Sequence, residues 1–180
     1  MGGRLKDKVV FFSGAGAIGP GWGNGKAAAV AMAREGAKIF ALDINKDAVE
    51  ETAKIIREEG GAVETTVCDV SKSDQVEAAV GACMEAFGRI DVLDNNVGII
   101  DPGGPEDLSE EQWDRLMAIN VKSIYLTCRN ILPIMSRQGR GSIINISSIA
   151  STHSLGYSCI SYSASKGAVN AFTRDIALNY

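Results

Sequence analysis

Short apolar runs alternate along the chain with longer segments rich in helix-forming residues. The apolar runs predict buried strands at residues 9–12, 37–43, 62–67, 90–93 and 141–148. The intervening segments predict helices at residues 26–35, 46–59, 73–87, 110–135 and 162–180. Ser109 stands at the N-cap position of the longest one, with Glu111 or Gln112 near the capping-box position. This alternation predicts an α/β fold: a doubly wound parallel sheet with helices on both faces.

Composition narrows the classes of protein and site. The 180 residues are 46% hydrophobic and 22% charged, which suits one domain spanning residues 1–180, without an internal linker or repeat. A net charge of −4 without a basic cluster argues against nucleic acid or anionic membrane partners. No apolar stretch is long enough for a membrane span, and no signal peptide is evident. Four scattered cysteines and one histidine predict reduced thiols, a cytoplasmic protein and no metal site.

The stretch "SGAGAIGPGWGNGKAAA", residues 13–29, contains more glycines than one phosphate-binding turn needs. A G-x-G-x-x-G match begins at Gly14, but the "PGWGNG" that follows it cannot be helical. The alanine-rich helix begins only after Gly23, Asn24 and Gly25. We therefore place the first turn at Gly14 and the helix-opening glycines at Gly23 and Gly25, with residues 17–21 inserted between them. The alternative is a flexible strand-to-helix connection that binds nothing.

Asp43 closes the second predicted strand, 18 residues beyond Gly25. This is near the spacing of about 20 residues expected for a carboxylate that binds the adenosine ribose of a dinucleotide. Such a carboxylate accepts hydrogen bonds from a free 2′-hydroxyl and repels a 2′-phosphate, so Asp43 favours NAD over NADP. Lys26 or Arg34 could instead turn toward a phosphate, and Asp43 could be a solvated strand end.

A series of short motifs follows the glycine stretch in a fixed order: "CDVS" at 68–71, "NNVG" at 95–98, "INV" at 119–121, "NISS" at 145–148 and "YSASK" at 162–166. In this order and spacing, the chain resembles the short-chain dehydrogenase/reductase family over essentially its whole length. The resemblance implies a Rossmann-like fold and an oxidoreductase that moves a hydride between a nicotinamide cofactor and a secondary alcohol or ketone. It also implies a homodimer or homotetramer, whose core would include apolar residues of the 110–135 helix. The alternative for those residues is burial within one subunit.

The resemblance assigns roles position by position. It implies a dinucleotide turn at Gly14 and at Gly23-Asn24-Gly25, adenine contacts at Asp69 and Val70, and a cleft floor fixed by Asn95. The implied catalytic set is Asn120, Ser148, Tyr162 and Lys166. The chain departs from the family pattern in having Ser13 for the usual Thr, Val97 for the usual Ala, the insertion at 17–21, and a Ser148-to-Tyr162 interval one residue longer than usual.

Tyr162 and Lys166 are four residues apart, so a helix would present both side chains on one face. A tyrosine phenol ordinarily keeps its proton at neutral pH, but a neighbouring ammonium and a positively charged nicotinamide both favour the phenolate. Tyr162 could then accept the proton of an alcohol. Ser148 would bond the substrate oxygen, and Asn120 would position a water. Tyr162 and Lys166 would also contact the cofactor, with Lys166 holding the ribose hydroxyls. The plain alternative for Tyr162 and Lys166 is a solvated helix face.

Two other functions fit the same residues. A 3-oxoacyl-thioester reductase would use the same catalytic set, usually with NADPH, and Asp43 argues against it. A non-catalytic nucleotide-binding domain would use the same fold without turnover. Family members continue beyond the position of Tyr180, so we expect a C-terminally incomplete domain that lacks the last strands of the family fold. Its fifth strand would have an unpaired edge, and turnover by this chain alone would be in doubt.

Overall fold

The computed structural model describes residues 3–180 and contains one parallel sheet of five strands in the order β3-β2-β1-β4-β5. The strands are β1 Val9–Ser13, β2 Lys38–Asp43, β3 Val63–Val67, β4 Val92–Asn95 and β5 Ser142–Asn145. The helices are α1 Asn24–Arg34, α2 Lys46–Glu58, α3 Ser73–Phe87, α4 Glu110–Met117, α5 Ser123–Gln138 and α6 Ile160–Asn179. The predicted doubly wound parallel sheet is confirmed.

Successive residues of β1 point to opposite faces of the sheet. Val9 and Phe11 belong to the hydrophobic cluster that includes residues of α3, α5 and α6. Val10 and Phe12 belong to a second cluster, with residues of α1 and α2. All five residues of β1 are buried, because a central parallel strand is covered on both faces. Because all five strands are parallel, their carboxyl ends lie at the same edge of the sheet. The predicted site residues follow these strand ends.

The predicted strand at residues 90–93 is instead Val92–Asn95. Its residues pair in register with β1, from Val10 opposite Val92 to Ser13 opposite Asn95. Asp91 directly precedes the strand: its N–H donates to the Val9 carbonyl at 2.9 Å, and its carboxylate accepts a hydrogen bond from the Val9 N–H at 3.0 Å and pairs with Arg89. These contacts hold the residue that precedes β4 against the start of β1.

The predicted helix at residues 110–135 is interrupted. A π-helical segment, Ala118–Lys122, separates α4 from α5, and α5 continues to Gln138, where Gly139 ends it in the left-handed conformation at φ 67°. The capping box predicted at its start is present, with Ser109 and Gln112 exchanging hydrogen bonds. A π-helical segment often lies at a functional site, and this one contains Asn120.

Most apolar side chains of α4 and α5 are buried within this one chain, including Leu116, Ile124, Cys128 and Ile131. Trp113 and Tyr125 remain partly exposed. Burial within one subunit thus accounts for most of this apolar surface, and the oligomer stays a prediction. β5 lies at one edge of the sheet, next to an open groove bordered by α5 and α6. No helix within residues 3–180 combines the length and apolar character that crossing a membrane requires.

Candidate active site

The turn after β1 is closed by glycines. Gly14 has φ +76°, and the N–H groups of Gly14 and Ala15 both donate to the Leu42 carbonyl of β2, at 2.8 and 3.1 Å. A Cβ built on Gly25 would lie 1.9 Å from the Gly14 carbonyl oxygen, so only glycine fits there. Gly23 is the N-cap of α1 and no side chain caps this end. The first N–H groups of α1 are therefore available to a diphosphate, and the turn fits a dinucleotide.

Asp43 lies at the mouth of this turn, at the end of β2. Its Oδ2 accepts from the Gly16 N–H at 3.0 Å, and its Oδ1 accepts from the Asn45 N–H at 3.0 Å. The side chain is only partly buried, and each carboxylate oxygen can accept a further hydrogen bond. Asp43 can thus receive ribose hydroxyls with its orientation already fixed. Asn24 is exposed as the first residue of α1.

The two cations that could have favoured a 2′-phosphate are engaged elsewhere. The Lys26 ammonium lies 2.5 Å from Glu51 Oε1, and Arg34 makes two hydrogen bonds to Glu59, at 2.7 and 2.5 Å. The Glu59 contacts also raise the pKa of Arg34 and lower that of Glu59. In this arrangement neither cation is directed at Asp43.

The adenine candidates follow β3. The Cys68 N–H donates to the Asp43 carbonyl at 2.9 Å, which places Asp69 and Val70 beside the end of β2. The Asp69 side chain bonds locally: its Oδ1 accepts from both the N–H and the hydroxyl of Ser71. Val70 is buried. These two residues therefore directly follow the residue that is bonded to Asp43.

Asn95, the last residue of β4, is buried, and both polar atoms of its side chain are hydrogen-bonded. Its Oδ1 accepts from the Thr127 hydroxyl at 2.8 Å, and its Nδ2 donates to Asn145 Oδ1 at 2.9 Å. Its carbonyl accepts from the Ile146 N–H at 3.0 Å. Asn95 thereby ties α5 and β5 to the centre of the sheet. Asn145 belongs to the "NISS" motif but had no role assigned to it, and nothing in the sequence pattern identified Thr127, because both act through contacts distant in the chain.

Asn96 was not among the predicted site residues, yet it holds the glycine turn. Its Nδ2 donates to the Gly14 carbonyl at 3.0 Å. On the opposite side of the turn, the Thr52 hydroxyl of α2 donates to the Ala15 carbonyl at 2.7 Å. The "NN" pair was the one available signal for Asn96. Thr52 had none, since it lies inside a helix 37 residues away from Ala15.

Tyr162 and Lys166 lie on one face of α6. The Lys166 ammonium is 5.6 Å from the centroid of the Tyr162 ring and donates to the Ile146 carbonyl at 2.7 Å. Lys166 is buried, and burial lowers the pKa of its ammonium. Because Ile146 is itself bonded to Asn95, the ammonium is fixed relative to the end of β4.

Asn120 is fully buried in the π-helical segment. Its Oδ1 accepts from the Ile99 N–H and its Nδ2 donates to the Ile99 carbonyl, both at 2.8 Å. Its Nδ2 also donates to Ser165 of α6 at 3.0 Å. A Cβ built on Gly98 would lie 3.2 Å from the Lys166 ammonium and 3.8 Å from Asn120 Oδ1. The two polar side chains therefore converge beside Gly98.

Ser148 follows β5 and caps the 3₁₀ turn Ile149–Ser151, its Oγ accepting from the Ala150 N–H at 3.1 Å. Neighbouring residues attach this segment to α6, since the Ser147 hydroxyl donates to the Lys166 carbonyl at 3.2 Å. Ser148 thus belongs to the segment that packs on the helix bearing Tyr162.

The cysteines are free and buried, and burial raises the pKa of Cys83 and Cys128 to about 12, so neither is a thiolate at neutral pH. Residues 3–180 hold no cluster of three or more metal-ligating side chains.

Comparison with known proteins identifies the chain's relatives. A family model described as short chain dehydrogenase matches residues 14–180. An uncharacterized oxidoreductase of Thermotoga maritima is 40% identical over 177 residues, covering 98% of this chain and 67% of the relative. The levodione reductase of Leifsonia aquatica is 36% identical over 180 residues, covering 98% of this chain and 65% of the relative. The chain thus spans about two thirds of the length of these curated relatives.

Solved structures give the same picture. A short-chain dehydrogenase/reductase from Burkholderia xenovorans superimposes with a TM-score of 0.96 at 41% identity, covering 99% of this chain and 71% of that one. NAD⁺-bound xylitol dehydrogenase gives a TM-score of 0.90 at 32% identity, with 98% and 66% covered. A metagenomic short-chain oxidoreductase in complex with NADP gives 0.89 at 33% identity, with 97% and 77% covered. These matches agree with the glycine turn, the buried asparagines and the Tyr162–Lys166 face described above. The chain therefore belongs to the short-chain dehydrogenase/reductase family of oxidoreductases.

Proposed function

We propose that this protein is an NAD-dependent oxidoreductase that transfers a hydride between nicotinamide and a secondary alcohol or its ketone. The observation that carries the proposal is that one short backbone segment, residues 95–98, connects the glycine turn to the Tyr162–Lys166 face. Asn96 holds the glycine turn through Gly14, and two residues later Gly98 lies against the Lys166 ammonium and Asn120. A dinucleotide bound at the turn would therefore extend along residues 95–98 toward the Tyr162–Lys166 face.

The chain's own residues account for binding. Gly14, Gly23, Asn24 and Gly25 would hold the diphosphate at the N-terminus of α1. Asp43 would accept the ribose hydroxyls, and Asp69 and Val70 would flank the adenine. A 2′-phosphate would meet the Asp43 carboxylate, and Lys26 and Arg34 are both paired with glutamates. This charge arrangement supports NAD over NADP.

A second group of residues, around the end of β5 and on α6, accounts for proton transfer. When bound, nicotinamide supplies or accepts the hydride. Lys166 places a positive charge beside the Tyr162 ring, and the Tyr162 oxygen would take a proton from the alcohol or return one to the ketone oxygen. Ser148 would orient the substrate oxygen. Asn120, fixed to Ile99 and Ser165, would keep α6 and the segment after β4 at a constant separation.

Direct binding and turnover together test the proposal. We expect the wild-type chain to bind NADH more tightly than NADPH in calorimetric titrations. Asp43→Asn is expected to weaken NADH binding by about tenfold and narrow that preference, because charge-assisted hydrogen bonds to the ribose are lost. Asp114→Asn, an exposed carboxylate of α4, serves as the matched control. Equal affinity of the wild type for both cofactors would contradict the NAD assignment.

Turnover is measured with a panel of secondary alcohols and ketones. Tyr162→Phe should keep NADH affinity while lowering the rate by roughly 10²–10⁴-fold, the usual contribution of positioned proton transfer. Full activity of Tyr162→Phe would contradict the assigned role. NADH binding without turnover by the wild type on any substrate would favour the non-catalytic nucleotide-binding function. The predicted homodimer or homotetramer, with Trp113 and Tyr125 exposed, remains part of the proposal.

A further inference from the structure

Residues 17–22, here called the 17–22 loop, leave the glycine turn after Gly16 and return at Gly23. The two ends of the loop meet, since a Cβ built on Gly23 would lie 3.3 Å from the Ala17 Cα. The outer side of the loop is open: a Cβ on Gly19 or Gly21 would contact nothing within 4 Å, and Ile18 is fully exposed. The loop is therefore closed at its base and projects from the turn.

The returning arm of the loop is anchored by a buried ammonium. Lys26, in the first turns of α1, is only 3% exposed. Its Nζ donates to the Gly21 carbonyl at 3.1 Å, pairs with Glu51 of α2 at 2.5 Å and lies 5.3 Å from the centroid of the Trp22 ring. Burying an ammonium is unfavourable unless it is paired, and here it has three partners. Lys26 thus ties the loop to α2.

The outgoing arm begins at the ribose carboxylate. Gly16 is the residue whose N–H bonds Asp43, and a Cβ on Gly16 would come within 2.7 Å of Ala48 of α2. Ala48, Glu51 and Thr52 share one face of α2, at i, i+3 and i+4. Ala48 lies beside Gly16, Glu51 pairs with Lys26, and Thr52 donates to the Ala15 carbonyl, so this face supports the turn and the lysine that holds the loop. The loop consequently stands beside Asp43, at the position assigned to the adenosine ribose.

We propose that the 17–22 loop is an additional binding element for the dinucleotide, covering its adenosine side, and that Lys26 is the positioning residue that holds it there. This inference rests on the proposed function. Trp22 is 60% exposed and Ile18 wholly exposed beside the turn, so covering a bound nucleotide removes apolar surface from water. The one ammonium at the loop is already paired, so the loop offers a 2′-phosphate no counter-charge.

Trp22 itself reports on the loop. The protein has two tryptophans, so Trp113→Phe leaves Trp22 as the single indole fluorophore. Titrating this variant with NADH should quench Trp22 emission and give energy transfer to the dihydronicotinamide. ADP-ribose, which lacks nicotinamide, is titrated in parallel by calorimetry, so that the readout does not depend on turnover.

Three variants change the loop. Deleting residues 17–21 should raise the Kd for both NADH and ADP-ribose by about tenfold, Lys26→Met by a similar factor, and Trp22→Ser by at least threefold. Lys54→Met is the matched control, since Lys54 is an exposed lysine of α2 paired only with Glu58 at 3.8 Å, and it should leave both constants unchanged. Melting curves establish that each variant is folded. Trp22→Ser keeps the test valid if Lys26→Met unfolds, because Trp22 is largely outside the core.

The outcomes separate the inference from the proposed function. If the wild type binds NADH and the folded loop deletion and Trp22→Ser both bind it within twofold of the wild type, the inference is wrong while the proposed function stands. If the wild type binds neither NADH nor ADP-ribose, the proposed function is wrong and the inference falls with it.

Discussion

Replacing Asp94 with asparagine removes a carboxyl group that the fold buries without a full set of partners. Asp94 lies in β4, between Phe12 of β1 and Ile144 of β5, and the residue is 2% exposed. Its Oδ1 has no hydrogen-bond partner among residues 3–180. Burial therefore disfavours the charged form and raises the pKa of this carboxyl from 3.8 to about 7.

The sign and size of the effect follow from proton linkage. Between pH 4 and pH 7 the folded state keeps a proton on Asp94 that the unfolded state releases, so stability falls as pH rises through this range. With pKa values of 3.8 unfolded and about 7 folded, wild-type unfolding should require about 2–3 kcal/mol less free energy at pH 8 than at pH 5 from this group alone. Asp94→Asn should lose that difference and be the more stable protein at pH 8.

Urea unfolding followed by circular dichroism at pH 5 and pH 8 measures this difference. Other titrating groups are common to both proteins. Their contributions cancel when the variant's change in unfolding free energy between pH 5 and pH 8 is subtracted from that of the wild type. Asp114→Asn, an exposed aspartate, should retain the wild-type pH dependence. If the unfolding free energies of the wild type and of Asp94→Asn change equally between the two pH values, the argument from buried charge is refuted.

Three further substitutions test the turn, a helix surface and the buried amide. Gly25→Ala would place a methyl group 1.9 Å from the Gly14 carbonyl oxygen and should abolish NADH binding; calorimetric affinity equal to wild type would contradict the described turn. Gly81→Ala in α3, where a Cβ contacts nothing within 4 Å, should raise the unfolding free energy by up to about 1 kcal/mol, and a loss would show hidden crowding. Asn120→Ala leaves the Ile99 N–H and carbonyl unpaired and should cost about 2–4 kcal/mol in urea unfolding; a neutral effect would show that these bonds contribute nothing.

Local sequence signals predicted the elements well where they depend on neighbours in the chain. The alternation of apolar runs and helical segments predicted the parallel sheet, and Gly23 and Gly25 were correctly placed at the start of α1. The Tyr162–Lys166 spacing predicted a shared helix face, which the 5.6 Å contact confirms. Each of these depends on helix or strand periodicity and on turn chemistry, which short stretches of sequence carry.

Other features needed the tertiary structure. Asn96 reaches the Gly14 carbonyl across 82 residues, Thr127 reaches Asn95 across 32, and Asp94 is buried between two strands that come from distant parts of the chain. The pairing of Lys26 with Glu51 likewise appears only once α1 and α2 lie side by side. The sequence by itself determined which segments form strands, helices and turns. The tertiary structure decided which polar groups meet, because parallel pairing brings the strand ends together and buries side chains whose partners no local pattern names.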